Sequence, residues 1–270
     1  MKFDSSRAWT QASQAVSANR EVVLALAGVF FLLPQLVFSI FFPPPETGAG
    51  MSEAQMMTAL KGYYVSIAPV LIPMALFQAL GSLSLLCLLD SDRRPTVGGA
   101  IRAGLKGVVP YILAQMLTGM ALAVIAMAVA GVLGMVGGVV GGVIGLALVL
   151  VLAIFVGVRL SIAAPVIAVE HVFNPVAALV RSWKLTRGNT ARLLGFYALL
   201  VIAMVVLLIF GNVLTMPIAL LAPGEVARFV AAAVEAVLAT VMALYFVAVI
   251  AQVHRQLAGP SAETQADLFG

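Results

Sequence analysis

Residues 107–158 read GVVPYILAQMLTGMALAVIAMAVAGVLGMVGGVVGGVIGLALVLVLAIFVGV and contain no charged side chain. A soluble helical protein needs a polar face on nearly every helix, and this stretch offers none. Because a transmembrane helix needs about 20 apolar residues, the stretch is long enough for two crossings. Of the 270 residues, 63% are hydrophobic and 10% are charged, whereas ordinary soluble domains contain about 25% charged residues. The sequence therefore predicts an all-α, polytopic membrane protein.

Six segments of the chain are long and apolar enough to be spans. They are residues 21–42, 65–89, 108–130, 142–169, 193–214 and 226–253. Glycine is dense at 131–141, and because glycine makes a helix costly, we expect the turn between the third and fourth spans there. We expect residues 1–258 to form one six-span membrane domain and residues 259–270 to form a disordered cytoplasmic tail.

Lysine and arginine are distributed unequally between the two sides of the predicted bundle. With both termini inside, twelve lie in the inner segments and two, Lys61 and Arg228, lie in the outer segments. Inner loops of membrane proteins carry the excess of basic residues, so both termini are expected in the cytoplasm. The first apolar run is not followed by a small-residue cleavage site, and we expect it to remain as the first span.

The longest polar and basic inner segment is residues 174–192, NPVAALVRSWKLTRGNTAR. Its apolar residues recur at i, i+3, i+4 and i+7, which is one stripe of a helix: Val176, Leu179, Val180 and Trp183. Its cations lie on the other faces: Arg181, Lys184 and Arg187. The pattern predicts a short amphipathic helix on the membrane surface. Its cations and Trp183 are candidates for contact with lipid headgroups or a partner.

Two other inner segments are similar to this one. Arg7 and Arg102 each begin a short basic motif that precedes a pair of spans, as Arg181 does. This order predicts three units of a surface helix plus a transmembrane hairpin, and it adds Arg7 and Arg102 to the candidates for headgroup contact. The alternative is that basic and aromatic residues simply accumulate at membrane interfaces.

Two ionisable residues, Arg159 and Glu235, lie inside predicted spans. A charge within a bilayer is costly, so by default it is paired or functional. Each lies about ten residues from a span end, which at about 1.5 Å per residue is near the midplane. Three interpretations stay open: an ion pair between two helices, Arg159 reaching inward to a lipid phosphate, and a substrate or proton pathway.

Few residues are suited to metal binding or catalysis. His171 and His254 are the only histidines, and Cys87 is the only cysteine. A metal site needs three or four such ligands, so we expect no metal and no cofactor. No phosphate loop, nucleophile elbow or kinase motif occurs, and no catalytic residue is predicted. The basic residues lie between spans, where topology explains them, so nucleic acid is not an expected partner.

A longer motif begins at Arg159 and reads RLSIAAPVIAVEHVFNPVAALVRSWKLTRGNTARLL. It resembles the signature of the glycerophosphoryl diester phosphodiesterase membrane-domain family and of the similar YciC-like bacterial inner-membrane proteins. The matching positions are Arg159, Ala164, Pro165, Val166, Glu170, Arg181, Ser182, Trp183, Leu185, Thr186, Arg187 and Gly188. Where the glutamate of that family is usually followed by glycine, this chain has His171.

The resemblance implies a location in a bacterial inner membrane. In larger proteins of that family the membrane module precedes a soluble phosphodiesterase domain, which supplies the catalytic acids, the histidines and the metal. This chain reaches Gly270 without such a domain, and we expect no phosphodiesterase activity of its own.

The leading functional hypothesis is a noncatalytic accessory or scaffold protein in envelope or lipid homeostasis. Its basic surface helices would contact anionic lipid headgroups. A competing hypothesis is a small transporter or lipid translocator with a midplane site at Arg159 and Glu235. A third is a membrane enzyme that acts on phospholipid headgroups. The expected partners are membrane lipids, with another envelope protein or a second copy of the chain as further candidates.

Overall fold

A computed structural model describes residues 2–43, 45, 51–90 and 96–259. All regular elements of these residues are helical. The helices are α1 (Ser5–Ala18), α2 (Arg20–Ala27), α3 (Leu33–Phe41), α4 (Glu53–Leu88), α5 (Val97–Leu160), α6 (Ala163–Ala168), α7 (Pro175–Leu185), α8 (Thr190–Leu221) and α9 (Gly224–Ala258). The tail beyond Gly259 and the inner-segment residues Arg93 and Arg94 lie outside the described residues.

Five helical segments of the described chain are long and apolar enough to cross a membrane. They are Arg20–Phe41, Glu53–Leu88, Val97–Ala168, Thr190–Ile218 and Gly224–Ala258. The prediction of an all-helical protein of membrane type is confirmed at this level. The first segment contains both α2 and α3, which are joined by a π-helical turn at Gly28–Leu32. The third has 72 residues and covers two of the predicted spans.

Helix α5 reverses direction at Gly138, inside the glycine-rich stretch where the sequence predicts a turn. The backbone angles of Gly138 are φ 58° and ψ −140°, and a positive φ suits a residue without a side chain. A Cβ atom placed on Gly145 would lie 2.9 Å from the Cα atom of Ala130. Residues on either side of the turn therefore lie against each other, and the two arms of α5 run antiparallel.

Buried side chains are concentrated at one end of the bundle, which we call the basic end. Here α1, α6 and α7 meet the last turns of α4 and α9, both ends of α5 and the start of α8. The two ends of the described chain also meet here. The Asp4 backbone N–H donates to the side-chain oxygen of Gln256 at 3.1 Å, and the Gln256 side-chain amide donates to the Asp4 carbonyl at 3.2 Å. Most of the candidate basic residues lie at this end, with exposed side chains: Arg7, Arg102, Arg181, Lys184 and Arg187.

The opposite end, which we call the arm end, exposes large apolar side chains. It consists of residues 53–76 of α4, 116–150 of α5, 201–221 of α8 and 224–237 of α9. At the α5 turn, Met135 is 90% exposed, and Val136 and Val139 are each 85% exposed. An exposed apolar surface of this extent is stable only in apolar surroundings, so it agrees with the membrane-type composition.

Helices α4 and α5 approach each other closely at the basic end. A Cβ atom placed on Gly104 would lie 2.9 Å from the backbone nitrogen of Ser84, so only glycine leaves room for this crossing. Ser84 is fully buried, and its hydroxyl donates to the Leu80 carbonyl of its own helix at 2.7 Å. The crossing therefore brings two backbones together without leaving that hydroxyl unpaired.

Two of the three predicted surface helices are separate elements, α1 and α7. Helix α1 buries Ala8, Ala12 and Val16, which are spaced four residues apart on one face. Helix α7 buries Ala178 and Ser182. Each therefore docks through small side chains on one face and leaves the opposite face exposed.

The prediction of a separate surface helix at Arg102 is wrong. Helix α5 begins after Thr96, whose side chain accepts a hydrogen bond from the Gly99 N–H at 3.2 Å, and it continues past Pro110. Proline removes one helical hydrogen bond, but here it does not end the helix. Arg102 therefore lies in the second turn of a long helix.

Candidate functional site

Helix α5 ends at Leu160, and a turn at Ser161 and Ile162 leads into α6. The fourth predicted span, residues 142–169, therefore contains a break in its helix, although it lies within the apolar segment Val97–Ala168 that is long enough to cross a membrane. Pro165 lies in the first turn of α6, where a helix needs no N–H donor, so it does not kink a long span. The turn is held from α8, because the Tyr197 hydroxyl donates to the Ser161 hydroxyl at 3.0 Å.

The backbone carbonyl of Arg159 anchors α7 to the end of α5. The Ser182 hydroxyl donates to this carbonyl at 2.9 Å, and the Thr186 hydroxyl shares its proton between this carbonyl at 3.1 Å and the Ser182 carbonyl of its own helix at 2.9 Å. Both side chains are fully buried. Carbonyls in the last turn of a helix lack partners within the helix, so these two hydroxyls supply what the helix cannot. The serine and threonine of the longer motif thus hold two helices together.

The Arg159 side chain lies over the Trp183 ring, with its Cζ atom 4.3 Å from the ring centroid. Its Nη1 atom donates to the Thr190 hydroxyl at 3.3 Å. Phe155, one helical turn before Arg159, packs edge-on against Trp183 with the ring centroids 5.8 Å apart. Such a cation–π contact is worth about 0.5–2 kcal/mol, and it fixes the plane of the guanidinium group.

Glu170 accepts hydrogen bonds from two directions. Its carboxylate lies 2.9 Å from Nε and 3.4 Å from Nη2 of Arg181, and 2.9 Å from Nε2 of His254. His254 is 5% exposed, whereas Arg181 faces solvent. The carboxylate therefore joins the α6–α7 connection to the middle of α7 and to the end of α9.

The environment of Glu170 shifts its acidity. Burial raises the pKa of the Glu170 carboxyl, but the hydrogen bonds from His254 and Arg181, together with their charges, outweigh burial and hold the pKa below its usual range. The charged form of Glu170 is therefore favoured in the folded protein. Within the described residues, no group of three or more His, Cys, Asp or Glu side chains is placed to hold a metal ion.

Two residues of the motif have positive φ angles, His171 with φ 56° and Gly188 with φ 85°. His171 occupies the position where the resembling family usually has glycine, and its backbone adopts the conformation that glycine favours. The turn after Glu170 therefore forms although its residue is histidine and not glycine. The His171 ring stacks on Phe173, with centroids 5.9 Å apart.

The N-terminal segment is tied to this site by residues that the sequence analysis missed. The Phe3 N–H donates to Oδ1 of Asn189 at 2.9 Å, and Trp9 stacks on Tyr245 with centroids 5.6 Å apart. Asp4 caps α1 by accepting from the Arg7 N–H at 3.0 Å. Aspartate ahead of a helix is a recognisable cap signal, but the partners on α8 and α9 leave no such mark in the sequence.

The structure does not bring Arg159 and Glu235 together. Both ion pairs among the described residues use Glu170, and Glu235 is exposed on α9. Glu235 precedes His254 by nineteen residues, which is about 28 Å along a helix. Arg159 lies at the same end of the bundle as His254, because α7 bonds to the Arg159 carbonyl and Glu170 joins α7 to His254. The predicted common depth assumed one helix that continues to residue 169, and that helix is interrupted at Ser161 and Ile162.

Comparison with known proteins places the chain in a family. The sequence model of the family DUF7847, a domain of unknown function, matches residues 7–257, and the chain belongs to this family. The comparisons give no support to the resemblance to the glycerophosphoryl diester phosphodiesterase membrane-domain family or to YciC-like proteins. No curated protein and no solved structure matches the chain.

Proposed function

We propose that this member of the DUF7847 family is an integral inner-membrane protein whose basic end binds anionic lipid headgroups. In this proposal it is a noncatalytic accessory or scaffold protein of envelope or lipid homeostasis, in a bacterium. The observation that carries the proposal is the division of α7 into two faces. One face is used in docking, and the other exposes apolar and basic side chains side by side.

The buried face of α7 holds Ala178 and Ser182, which pack toward α5 and α6. The opposite face holds Val176, Val180 and Trp183, which are 56%, 47% and 37% exposed. Helices that lie in a membrane interface present an apolar stripe to the acyl chains and basic residues to the headgroups. Helix α7 has both features on its exposed side, although the Trp183 ring also contacts Arg159 and Phe155 of α5.

The basic residues supply the electrostatic part of the proposal. Lys184 and Arg187 are exposed beside the apolar stripe, and Arg7 and Arg102 lie at the same end. Each basic residue near an anionic membrane surface contributes about 1 kcal/mol of attraction. Arg181 differs from the others, because its guanidinium group is already bonded to Glu170.

Six crossings with both termini in the cytoplasm fit this arrangement. Asp4 and Gln256 hydrogen-bond to each other, so the two ends of the membrane domain lie on one side of the bundle, which requires an even number of crossings. Of the five apolar segments, Val97–Ala168 folds back at Gly138 and supplies two. The excess of basic residues at the basic end favours the cytoplasmic side for that end.

The transporter hypothesis receives no support from the geometry. It required Arg159 and Glu235 to share one midplane site, and these two side chains lie far apart along the bundle axis. The described contacts of Arg159 are with Trp183 and Thr190, at the basic end.

Fluorescence of Trp183 tests the lipid proposal. Trp9→Phe leaves Trp183 as the single tryptophan, and the protein is placed in nanodiscs of one lipid mixture in which either the anionic or the zwitterionic lipid is brominated. We expect stronger quenching by the brominated anionic lipid. Lys184→Gln should reduce the excess quenching by the anionic lipid by up to about fivefold, whereas Arg228→Gln at the arm end should leave it unchanged. Equal quenching by both lipids in the parent protein would contradict the proposal.

Cysteine labelling tests the orientation. In a Cys87→Ala background, Ser6→Cys marks the basic end and Val136→Cys marks the exposed α5 turn. A membrane-impermeant maleimide should label Val136→Cys in spheroplasts, where the outer face of the inner membrane is exposed to the medium. It should label Ser6→Cys only in inside-out vesicles. Labelling of both cysteines from the same side would exclude an orientation with the two ends on opposite faces.

A further inference from the structure

The buried Arg159 side chain has no counter-charge in the described chain. It is 6% exposed, and the two described ion pairs both belong to Glu170. Its Nε atom is buried without a hydrogen-bond partner. Arg187 is close enough for its positive charge to act on Arg159, which adds repulsion. A buried charge without an opposite charge beside it is strongly unfavourable, so a bound anion would stabilise Arg159.

The start of α8 lies at the same place. The Arg159 guanidinium group donates to the hydroxyl of Thr190, which is the first residue of this 32-residue helix. The N-cap residue Asn189 makes no side-chain cap bond to α8, and its Oδ1 atom accepts from the Phe3 N–H instead. The first N–H groups of α8 are therefore left without a side-chain cap. Such a helix start attracts anions through its N–H groups and its dipole.

We propose that Arg159, Arg187 and the start of α8 form a binding site for a phosphate group. Phosphate oxygens would accept from the unpartnered Nε of Arg159 and from the first N–H groups of α8, and the phosphate charge would offset both arginines. A tetrahedral group with several acceptors suits this set of donors, and guanidinium groups bind phosphate through two donors at once. Trp183 holds the guanidinium plane in position for this contact.

The phosphate group belongs either to a lipid headgroup or to a soluble phosphate ester. The lipid source rests on the proposed function, because the site adjoins the exposed stripe of α7. The phosphate site itself does not depend on it. Arg159 and Arg187 act on the phosphate, whereas Lys184 belongs to the lipid surface alone.

Thermal unfolding of the full chain in detergent tests the site with inorganic phosphate as the probe. The midpoint should rise with phosphate and not with sodium chloride of equal ionic strength. Arg187→Gln should weaken the phosphate affinity by about tenfold, the usual effect of losing one charge-assisted hydrogen bond. Arg159→Lys keeps the charge but loses the planar donor fork, and it should also weaken the affinity. Lys184→Gln should leave the affinity unchanged.

Native mass spectrometry with phosphatidic acid and glycerol 3-phosphate distinguishes the two sources. Retention of the lipid by the parent protein and its loss in Arg187→Gln support a headgroup ligand. A phosphate-dependent shift without lipid retention supports the site with a soluble ester as its ligand. No phosphate-specific shift, or an equal shift in the parent, Arg187→Gln and Arg159→Lys, overturns the proposal even where Trp183 still reports anionic lipid.

Discussion

The two ends of this molecule are stabilised in different ways. At the basic end, short helices are joined by hydrogen bonds between polar groups, most of them buried: Ser182 and Thr186 on the Arg159 carbonyl, and Glu170 between the exposed Arg181 and the buried His254. At the arm end, long apolar helices expose most of their side chains, and most of their described hydroxyl bonds are local, with Tyr63, which donates to the Phe42 carbonyl at 2.8 Å, as an exception. Thr215, for example, donates to carbonyls of its own helix.

The difference shows where tertiary specificity resides. A hydrophobic surface that faces lipid gains little by packing on another hydrophobic surface, so long apolar helices alone define the arrangement weakly. Buried polar groups define it strongly, because each one costs free energy unless its partner is in place. The basic end should therefore be sensitive to loss of single polar atoms, and the arm end should tolerate the same losses.

The largest effect is expected from the hydroxyls that hold α7. Replacing Ser182 with Ala and Thr186 with Val together removes both side-chain donors from the buried Arg159 carbonyl. We expect a loss of about 2–4 kcal/mol in the free energy of unfolding, since two hydrogen bonds are lost and one acceptor is left unsatisfied. Unfolding in detergent, followed by circular dichroism, measures it.

The matched control is Thr215→Val at the arm end. It removes a hydroxyl that bonds only to carbonyls of its own helix, and the change should be within about 0.5 kcal/mol. Similar losses for Thr215→Val and for Thr186→Val alone would show that the two ends do not differ in the way described.

Much of the fold follows from patterns that act over short distances. The apolar segments, the α5 reversal among glycines and the position of α7 depend on composition, backbone cost and helical period, and all can be read from the chain. Asn174 and Pro175 begin α7 in the usual way, with the Asn174 side chain accepting from the Ala177 N–H at 3.1 Å.

The candidate site was only partly predictable, because it depends on where one helix ends. Ser161 and Ile162 carry no glycine or proline signal, and the turn there is held by Tyr197 from a helix much later in the chain. The depth of Arg159 follows from that turn, so the inferred pair with Glu235 rested on an unbroken helix to residue 169, which the structure does not have. The sequence singled out Arg159, Glu170 and Ser182, whereas their partners could not be read from it.

The second prediction concerns the crossing of α4 and α5. Gly104→Ala places a methyl group against the Ser84 backbone, and we expect a loss of about 1–3 kcal/mol because the helices must move apart. Gly119→Ala on the same helix meets no atom within 4 Å. It should be neutral or stabilising by up to about 1 kcal/mol, since alanine favours the helix. Equal effects in thermal unfolding would rule out a close crossing at Gly104.

The third prediction concerns pH. Because the folded pKa of Glu170 lies below its usual range, its contribution to stability is full above the ordinary carboxyl pKa of about 4.3 and is lost as pH falls through the folded value. We expect about 1 kcal/mol, since the pair with Arg181 is partly screened by solvent. Glu170→Gln should remove this part of the acid dependence in unfolding measured from pH 7 downward. Glu235→Gln, at the arm end, is the control, and an acid profile unaffected by Glu170→Gln would contradict the prediction.

The smallest effect is expected at His171, where the basic end contains a backbone conformation that its residue does not favour. His171→Gly permits the positive φ but removes the ring that stacks on Phe173, whereas His171→Ala removes the ring and keeps the unfavourable conformation. The difference between the two variants therefore isolates the cost of the positive φ angle. The free energy of unfolding of the glycine variant should exceed that of the alanine variant by about 1 kcal/mol. An alanine variant as stable as the glycine variant would mean that the turn relaxes away from positive φ. In that case the turn does not hold Glu170 in place, and the carboxylate is positioned by Arg181 and His254 alone.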